Sequence, residues 1–369
     1  MFRSRKNLVF TGLIFILFLS VPITALADLK KFEPKRTPWG TPDFQGIWDF
    51  RNLTPLERPP ELADKAVLTP EEAKIIGAVA IQALDFDSQR EGEARVDVEG
   101  AYNSFWWDFG TELHEDLRTS LIIDPPNGRL PDITPEALAR REEQKHLRSL
   151  PVRDLFSYGA DPSVFRPAGP ESLGLSERCL VGFNAGPPMM PAAYNNNVRI
   201  VQTPQYIVLF TEMVHDARVI PMDSRPHLTS EIRRWSGDSR GRWEGNTLVV
   251  ETTNFTDKTP AFQVPFSGFE NLTEGGGLGT GKDMHLVEKF TQVSGSRLDY
   301  VYTITDPNVF TRPFTVQIPM KVSDGQMFEY ACHEGNYAIP GMLKGARLLE
   351  AEELDAPEVL KVGGHSNTD

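Results

Sequence analysis

From about residue 197 onward the sequence alternates between apolar and polar side chains with a period of two, and this alternation limits the fold more than any other feature. The runs that show it are residues 198–202, 205–213, 242–244, 247–253, 284–292, 298–305, 314–322 and 327–332. Turn residues such as Thr203-Pro204 and Gly245-Asn246 separate neighbouring runs at short spacing. About seven strands joined mainly by short turns predict an antiparallel meander.

A meander of this size folds as a barrel or as a sandwich. We favour a barrel, because closure removes the edges that an open sheet leaves exposed. The sequence therefore predicts a mainly β fold. An antiparallel, lipocalin-like (calycin-like) barrel covers residues 191–350, and an irregular, partly helical segment of residues 28–190 wraps it. Residues 351–369 are predicted to be a disordered tail.

The predicted wrapping segment opens with residues 28–66, a stretch that is rich in both proline and aromatic residues. Proline lacks the N–H that a helix interior or a sheet ladder needs, so we expect this stretch to run extended over the core without forming a central strand. Further on, a threonine cap followed by proline predicts one helix over residues 70–84 and a second over residues 135–149.

The first 27 residues have the order of a cleavable signal peptide, with basic residues, then an apolar run, then small residues ending at Ala27. The apolar run is shorter than the roughly 20 residues that a spanning helix needs. We therefore predict an exported protein, periplasmic or secreted, with no membrane span after cleavage. Export permits a disulfide between Cys179 and Cys332, the only cysteines, but geometry decides whether it forms and the sequence leaves both options open.

The charge of the chain excludes two classes of partner. Its formal net charge is -13, and removal of residues 1–27, with three basic and no acidic residues, takes it to -16. Nucleic acids and anionic membrane surfaces both require a basic face. We therefore predict neither as a partner and expect a small-molecule ligand or substrate. The sequence indicates no oligomeric state.

Glu288 is the first candidate for chemistry. Strand alternation places it on the apolar face of its run, together with Leu286 and Phe290. A carboxylate that points into a barrel has a charged partner or a raised pKa, and a raised pKa suits a general acid or base. The alternative is a structural ion pair with an arginine such as Arg240 or Arg312.

A second candidate is His215, within the segment that is predicted to end the strand beginning near residue 205. Alternation then places Asp216 and Arg218 on one face, close enough to pair, and His215 on the opposite, apolar face. A single histidine there is more often a satisfied core residue than a catalyst, unless a second titratable group meets it.

That second group is predicted from the cluster His333, Glu334, Asn336 and Tyr337, where the last predicted strand ends. A strand end at a barrel mouth directs polar side chains at a pocket. We interpret His333 as a general base oriented by Glu334 or Asn336, with Tyr337 as proton donor. The alternative is a polar turn that local hydrogen bonds stabilise.

Asp238 and Arg240 lie in the densest constellation of the chain, with Trp235 and Trp243 on either side. We predict that Asp238 and Arg240 pair across a tight turn and that they contact a ligand together with Trp243. The alternative is a structural corner in which Asp238 accepts backbone hydrogen bonds, as turn aspartates do.

Cofactor motifs are absent from the sequence. His215, His333 and a carboxylate are conceivable zinc ligands, but no His-x-Glu-x-x-His or similar spacing supports a site. Residues 237–241 (GDSRG) match the letters of the Gly-x-Ser-x-Gly nucleophile motif, but a hairpin is predicted to follow them where that motif requires a helix. The glycines at 275–281 lack the Lys-Ser/Thr ending of a phosphate-binding loop. We therefore predict no metal and no organic cofactor.

Several specific motifs extend over nearly the whole chain after residue 27, among them GDSRG-x-WEG and YACHEGNY. The segments are residues 53–59, 176–179, 194–197, 215–218, 237–241, 243–245, 254–255 and 330–337. With these motifs the chain resembles a large family of exported bacterial proteins that are uncharacterised. The resemblance implies export and no particular activity, and it adds Asn254 to the candidate ligand-binding residues. A glycine-rich stretch over residues 268–283 departs from the family pattern, and we expect it to be a mobile loop near a pocket.

These observations lead to three hypotheses. The first is an exported lyase, isomerase or hydrolase that performs acid/base chemistry on a small hydrophobic or aromatic metabolite in a barrel pocket. Arg218 or Asn336 would hold a developing negative charge in it. The second is a non-catalytic carrier of a hydrophobic ligand, and the third is a structural protein of the cell envelope. Convergence of His215, Glu288 and His333 on one cavity would favour the enzyme. A cavity that is apolar throughout would favour the carrier, and the absence of a cavity would favour the structural protein.

Overall fold

The period-two runs form antiparallel strands, as predicted. The computed structural model describes residues 32–85, 107–148, 166–259, 262–263, 277–278 and 281–355, and every element below belongs to the compact unit Glu33–Asp369. The strands are β1 (Gly46–Asp49), β2 (Ile122–Asp124), β3 (Asn197–Gln202), β4 (Tyr206–Thr211), β5 (Ala217–Pro221), β6 (Asp238–Glu244), β7 (Thr247–Thr253), β8 (Phe262–Gln263), β9 (Gly277–Leu278), β10 (His285–Ser294), β11 (Arg297–Thr305) and β12 (Phe314–Val322).

The strands form a nearly closed antiparallel barrel, which confirms the predicted fold class. Nine of them follow the order β5-β4-β3-β1-β12-β11-β10-β7-β6, while β2 pairs with β12 and the short β8 pairs with β9. The first and last strands of this order, β5 and β6, lie side by side without forming a hydrogen-bonded ladder. We call the line between them the seam. Residues 222–237 connect β5 to β6.

The barrel contains one strand that the sequence analysis excluded. β1 lies between β3 and β12, where Trp48 stands opposite Val198 and Val322. The prediction that residues 28–66 form no central strand is therefore wrong. A strand can form within this proline-rich stretch because residues 43–54 themselves contain no proline, so β1 can donate all of its N–H groups to neighbouring strands. Trp48 is also 2% exposed and fills part of the core.

The centre of the barrel is a packed core. In β11 every second residue is fully buried, and the inward-facing side chains of β7, β10 and β12 continue the same layer. The side chains without exposed surface there are Leu248, Val250, Thr252, Leu286, Glu288, Phe290, Leu298, Tyr300, Tyr302, Ile304, Phe314, Val316, Ile318 and Met320. Each apolar member contributes about 1.5–3 kcal/mol through burial. The space in which the sequence analysis placed a ligand is occupied by these side chains.

Three helices accompany the barrel in the described residues. Helix α1 (Pro70–Ala83) and helix α2 (Pro135–Arg148) confirm the two predicted helices, and a capping box between Thr69 and Glu72 begins α1. Helix α3 (Ala338–Asp355) was not predicted, because Pro340 interrupts the helical pattern of the sequence near its start. Proline is tolerated there, since the N–H groups of a first turn have no partner within the helix. None of the described helices is long and apolar enough to cross a membrane.

Two other predicted elements differ in the structure. The run over residues 327–332 is not a strand, and its largest apolar side chain, Phe328, is 69% exposed. Helix α3 continues through residues 351–355, so the prediction of disorder is wrong for these five residues. Residues 356–369, the predicted signal peptide, and residues 268–276 and 279–280 of the glycine-rich stretch lie outside the described part of the chain.

A disulfide between Cys179 and Cys332 joins two segments that are 153 residues apart in sequence. Their Cα atoms are 5.8 Å apart. Neighbouring contacts reinforce the same junction, since Asn336 donates a hydrogen bond to the Glu177 carbonyl and Arg166 pairs with Glu353 at 2.6 Å. The bond therefore holds the segment after β12 against the segment before β3.

Candidate functional site

A cleft with both charged and apolar walls opens along the seam and not in the barrel centre. Its volume is about 880 Å³. Strand β5, the 222–237 connection and the start of β6 form its walls. The apolar lining residues are Leu180, Val219, Pro221, Pro226, Leu228, Ile232 and Trp235, and the titratable ones are Asp216, Arg218, Arg225, His227, Arg234, Asp238 and Arg240.

Gly241 closes the seam beside the cleft. A Cβ atom at this position would lie 2.4 Å from the Met222 sulfur and 2.9 Å from Cγ2 of Ile220. Any side chain at position 241 would therefore push β6 away from β5. The close approach of the two strands at Gly241 positions the outward-facing residues just before it, Asp238 and Arg240, at the cleft.

Arg218 forms a buried ion pair with Glu288 at the inner side of the cleft. Its Nη1 and Nη2 atoms donate to the two Glu288 carboxylate oxygens at 2.7 and 2.9 Å. The Tyr300 hydroxyl donates a third hydrogen bond to Glu288 at 2.7 Å, and it accepts one from the Met189 N–H. All of these groups lie in or at the edge of the core, so Glu288 is a fully partnered carboxylate.

The charges of this cluster stabilise one another. Burial acts to lower the pKa of Arg218, but the Glu288 carboxylate outweighs burial and raises that pKa above its ordinary value. Burial, and then the negative charge of Glu288, raise the pKa of Tyr300 well above its ordinary value. Both groups therefore keep their protons at neutral pH. The structure bears out the ion-pair interpretation of Glu288, with Arg218 as the partner in place of Arg240 or Arg312.

His227, Asp238 and Arg240 form a second cluster at the opposite wall. The Asp238 carboxylate lies 3.1 Å from His227 Nδ1 and accepts hydrogen bonds from Arg240 Nη1 at 2.8 Å and from the Leu228 N–H at 2.9 Å. Burial acts to raise the pKa of Asp238, but these three donors outweigh burial and lower it. Asp238 is therefore charged at neutral pH and holds the imidazole in one orientation.

This cluster agrees with both interpretations that the sequence left open. The Asp238–Arg240 pair exists, and Asp238 also accepts a backbone hydrogen bond as a structural corner requires. Trp243, however, packs edge-to-face on Phe44 at 5.2 Å and does not line the cleft. Asn254 stands behind the wall, where its side chain donates to the carbonyls of Leu228 and Thr229.

The remaining candidates lie elsewhere. β4 ends at Thr211, and a 3-10 turn over Met213–His215 separates it from β5, so the predicted continuous strand through Arg218 is wrong. Asp216 consequently does not form the predicted salt bridge with Arg218. His215 Nδ1 instead lies 2.8 Å from the Tyr330 carbonyl oxygen, beside the disulfide. A left-handed backbone at His215 (φ 43°) redirects its side chain away from the face that alternation assigned.

The C-terminal cluster is largely solvent-exposed. His333, Glu334 and Tyr337 have exposed side chains, and Tyr337 is 82% exposed. Asn336 is engaged with the Glu177 carbonyl and lies 3.5 Å from the Cys179 sulfur. None of these four residues, and neither His215 nor Glu288, lines the seam cleft. The arrangement matches the polar turn that was the alternative interpretation of this segment.

Three residues of the site were not predicted from the sequence. Tyr300 was detectable, because alternation places it on the buried face of β11. His227 and Arg234 lie in the irregular 222–237 connection, where no periodicity indicates which side chains face a cleft. Only the folded arrangement of this connection shows that they belong to the same wall.

Two further observations concern other possible functional sites, a metal site and a second cleft. Within the described ranges, no group of three or more His, Cys, Asp or Glu side chains is placed to hold a metal ion. A second cleft of about 390 Å³ lies beside Trp107 and Phe109, but its charged groups are already engaged: Arg51 pairs with Asp49 and Asp108. Among the residues that the structure describes, the seam cleft is therefore the stronger candidate for a binding or catalytic site.

No protein-family model matches the chain, and no curated protein is similar to it.

Proposed function

We propose that this protein is an exported enzyme that performs acid/base chemistry, as a lyase, isomerase or hydrolase, on a small hydrophobic or aromatic metabolite in the seam cleft. The observation that carries the proposal is the pairing of His227 with Asp238 in the wall of that cleft. Titratable pairs in clefts are typical of catalytic sites. The disulfide supports export, because disulfides persist in oxidising compartments.

His227 is the acid/base residue in this proposal. When its Nδ1 carries the proton and donates to the charged Asp238 carboxylate, Nε2 has a free lone pair and can accept a proton from a substrate. The His227 side chain is 26% exposed, so solvent and a ligand in the cleft can reach it. Asp238 orients the ring and stabilises the imidazolium that forms.

Arg240 and Arg218 complete the arrangement. Arg240 is fixed by Asp238 and by the Pro226 carbonyl, and both arginines line the cleft. A guanidinium that is already held in place can stabilise negative charge that develops during proton transfer without reorganising. Apolar residues such as Leu228 and Trp235 provide the contact surface for a hydrophobic substrate.

The test is a turnover screen of the purified protein against a mixture of small metabolites, followed by mass spectrometry. We expect wild type to consume a metabolite and His227→Gln to lose that turnover. His285→Gln is the matched control, because His285 also pairs with a carboxylate, Glu251 at 2.7 Å, but does not line the cleft. Equal turnover by wild type and His227→Gln would refute the assignment of His227.

A non-catalytic carrier is the second candidate function. It is favoured by the Glu288 carboxylate, whose oxygens are occupied by Arg218 and Tyr300, and by the structural hydrogen bond that Asp238 accepts from Leu228. In the same screen a carrier would retain a metabolite unchanged, and the His227→Gln variant would retain it as well. That outcome would replace the enzyme by the carrier.

A further inference from the structure

We infer that the ligand of the seam cleft is a monocarboxylate with an apolar or aromatic body, and that Arg234 binds its carboxylate. This inference deepens the proposed function, because it assigns the chemical class of the molecule that the same cleft accepts. It also applies if the protein is a carrier. It depends on three features of the described residues: the ion pairs of the cleft, the state of Arg234 and the apolar surface beside it.

Three of the four arginines that line the cleft pair with carboxylates, and Arg234 has no such partner among the described residues. Arg218 pairs with Glu288, Arg225 with Asp223, and Arg240 with Asp238. The side chain of Arg234 is exposed and has no hydrogen-bond or ion-pair partner in the part of the chain that the structure describes. The cleft therefore offers one guanidinium whose hydrogen-bond donors no described residue uses.

The backbone around Arg234 is fixed, so the guanidinium extends from a rigid base. The Arg234 N–H donates to the Asn254 carbonyl at 3.0 Å, and the Arg234 carbonyl accepts from Thr256 and Gly237. The Asn254 side chain ties the same wall to Leu228 and Thr229. Asn254 thus contributes to the site by positioning the wall.

A single guanidinium is complementary to a single negative charge. Its planar pair of donors matches the two oxygens of a carboxylate. A dianion such as phosphate carries a second charge that this single guanidinium does not neutralise. Ile232, which is 49% exposed, and Trp235 lie within two residues of Arg234 and provide the apolar surface for the rest of the molecule.

The experiment is an NMR titration of the full chain with benzoate, benzamide, benzylamine and inorganic phosphate, following the side-chain signals of the arginines. We expect benzoate to shift the Arg234 signal, and its affinity to fall as salt is added. Arg234→Gln should weaken benzoate about tenfold, since it removes a charge-assisted hydrogen-bond donor. Arg199→Gln is the matched control, because Arg199 is also exposed and lacks a partner among the described residues but lies on β3 outside the cleft.

Three results would overturn the inference: no benzoate shift at Arg234, equal affinity for benzamide, or stronger binding of benzylamine or phosphate. A loss of benzoate affinity that is equal in Arg234→Gln and Arg199→Gln would do the same. The His227→Gln variant separates this inference from the proposed function. If the variant binds benzoate but no turnover is found in wild type, the carboxylate site stands and the enzyme fails.

Discussion

The buried pair of Arg218 and Glu288 allows the sharpest test of how this barrel is held together. Glu288→Gln keeps the volume of the side chain but removes its charge and places an amide donor where Arg218 donates. Glu288 is 0% exposed and accepts three hydrogen bonds, two from Arg218 and one from Tyr300. The substitution leaves the Arg218 charge uncompensated in the core, and we expect a loss of about 3–5 kcal/mol in the free energy of unfolding.

Thermal unfolding followed by circular dichroism measures this loss, which corresponds to a fall in Tm of about 4–7 °C for a compact unit as long as Glu33–Asp369. The double variant Arg218→Met/Glu288→Leu is the informative control. It replaces both charges by apolar side chains, and such replacements are often neutral or stabilising, so it should recover most of the stability. A loss below about 1 kcal/mol in Glu288→Gln, or a double variant less stable than either single one, would refute the argument that an uncompensated charge causes the effect.

Other predictions concern the disulfide, a buried histidine and the seam. Reduction of the Cys179–Cys332 bond should lower the free energy of unfolding by about 5 kcal/mol, measured by urea unfolding with and without reductant. His114 is 1% exposed, and burial lowers its pKa from 6.5 to about 4. Protonation thus favours the unfolded chain, so the stability that His114 confers is complete above pH 6.5 and is lost as pH falls toward 4. His114→Gln should flatten this dependence in pH-dependent unfolding. Gly241→Ala should cost about 1–3 kcal/mol, because its methyl group meets Met222 and Ile220; an unchanged Tm would show that the seam can widen freely.

Local periodicity predicted most of the barrel, because a strand with one buried face must alternate wherever it lies. The runs that became β3, β4, β6, β7, β10, β11 and β12 all follow this rule. β1 escaped prediction because it is only four residues long and lies among prolines. β5 was merged with β4, since the left-handed turn at Val214 and His215 requires backbone angles that neither residue type favours.

The site was harder to predict than the strands. Alternation correctly placed Glu288 on the inner face of β10, but it could not show that Arg218, 70 residues earlier, would reach it. Asp238 and Arg240 were identified because charged residues and tryptophans are concentrated in the short segment around them, residues 235–245. His227 and Arg234 had no such signal, since the shape of an irregular connection depends on the strands that it joins.

The insertion of β1 into the sheet has a consequence for where a ligand can bind. Every neighbouring pair in the barrel runs antiparallel, so the direction alternates along the order of strands. With β1 included the number of strands in that order is odd, and β5 and β6 point the same way where they meet. Two strands that point the same way cannot be joined by a tight hairpin and need a crossover of about a dozen residues or more.

Residues 222–237 are that crossover, and they contain His227 and Arg234. An all-antiparallel order with an even number of strands would instead bring its first and last strands together in opposite directions, and a two-residue turn would be enough to join them. The four-residue strand β1 thus makes the number of strands in the order odd. Because the number is odd, β5 and β6 need a long crossover, and this crossover forms a wall of the cleft.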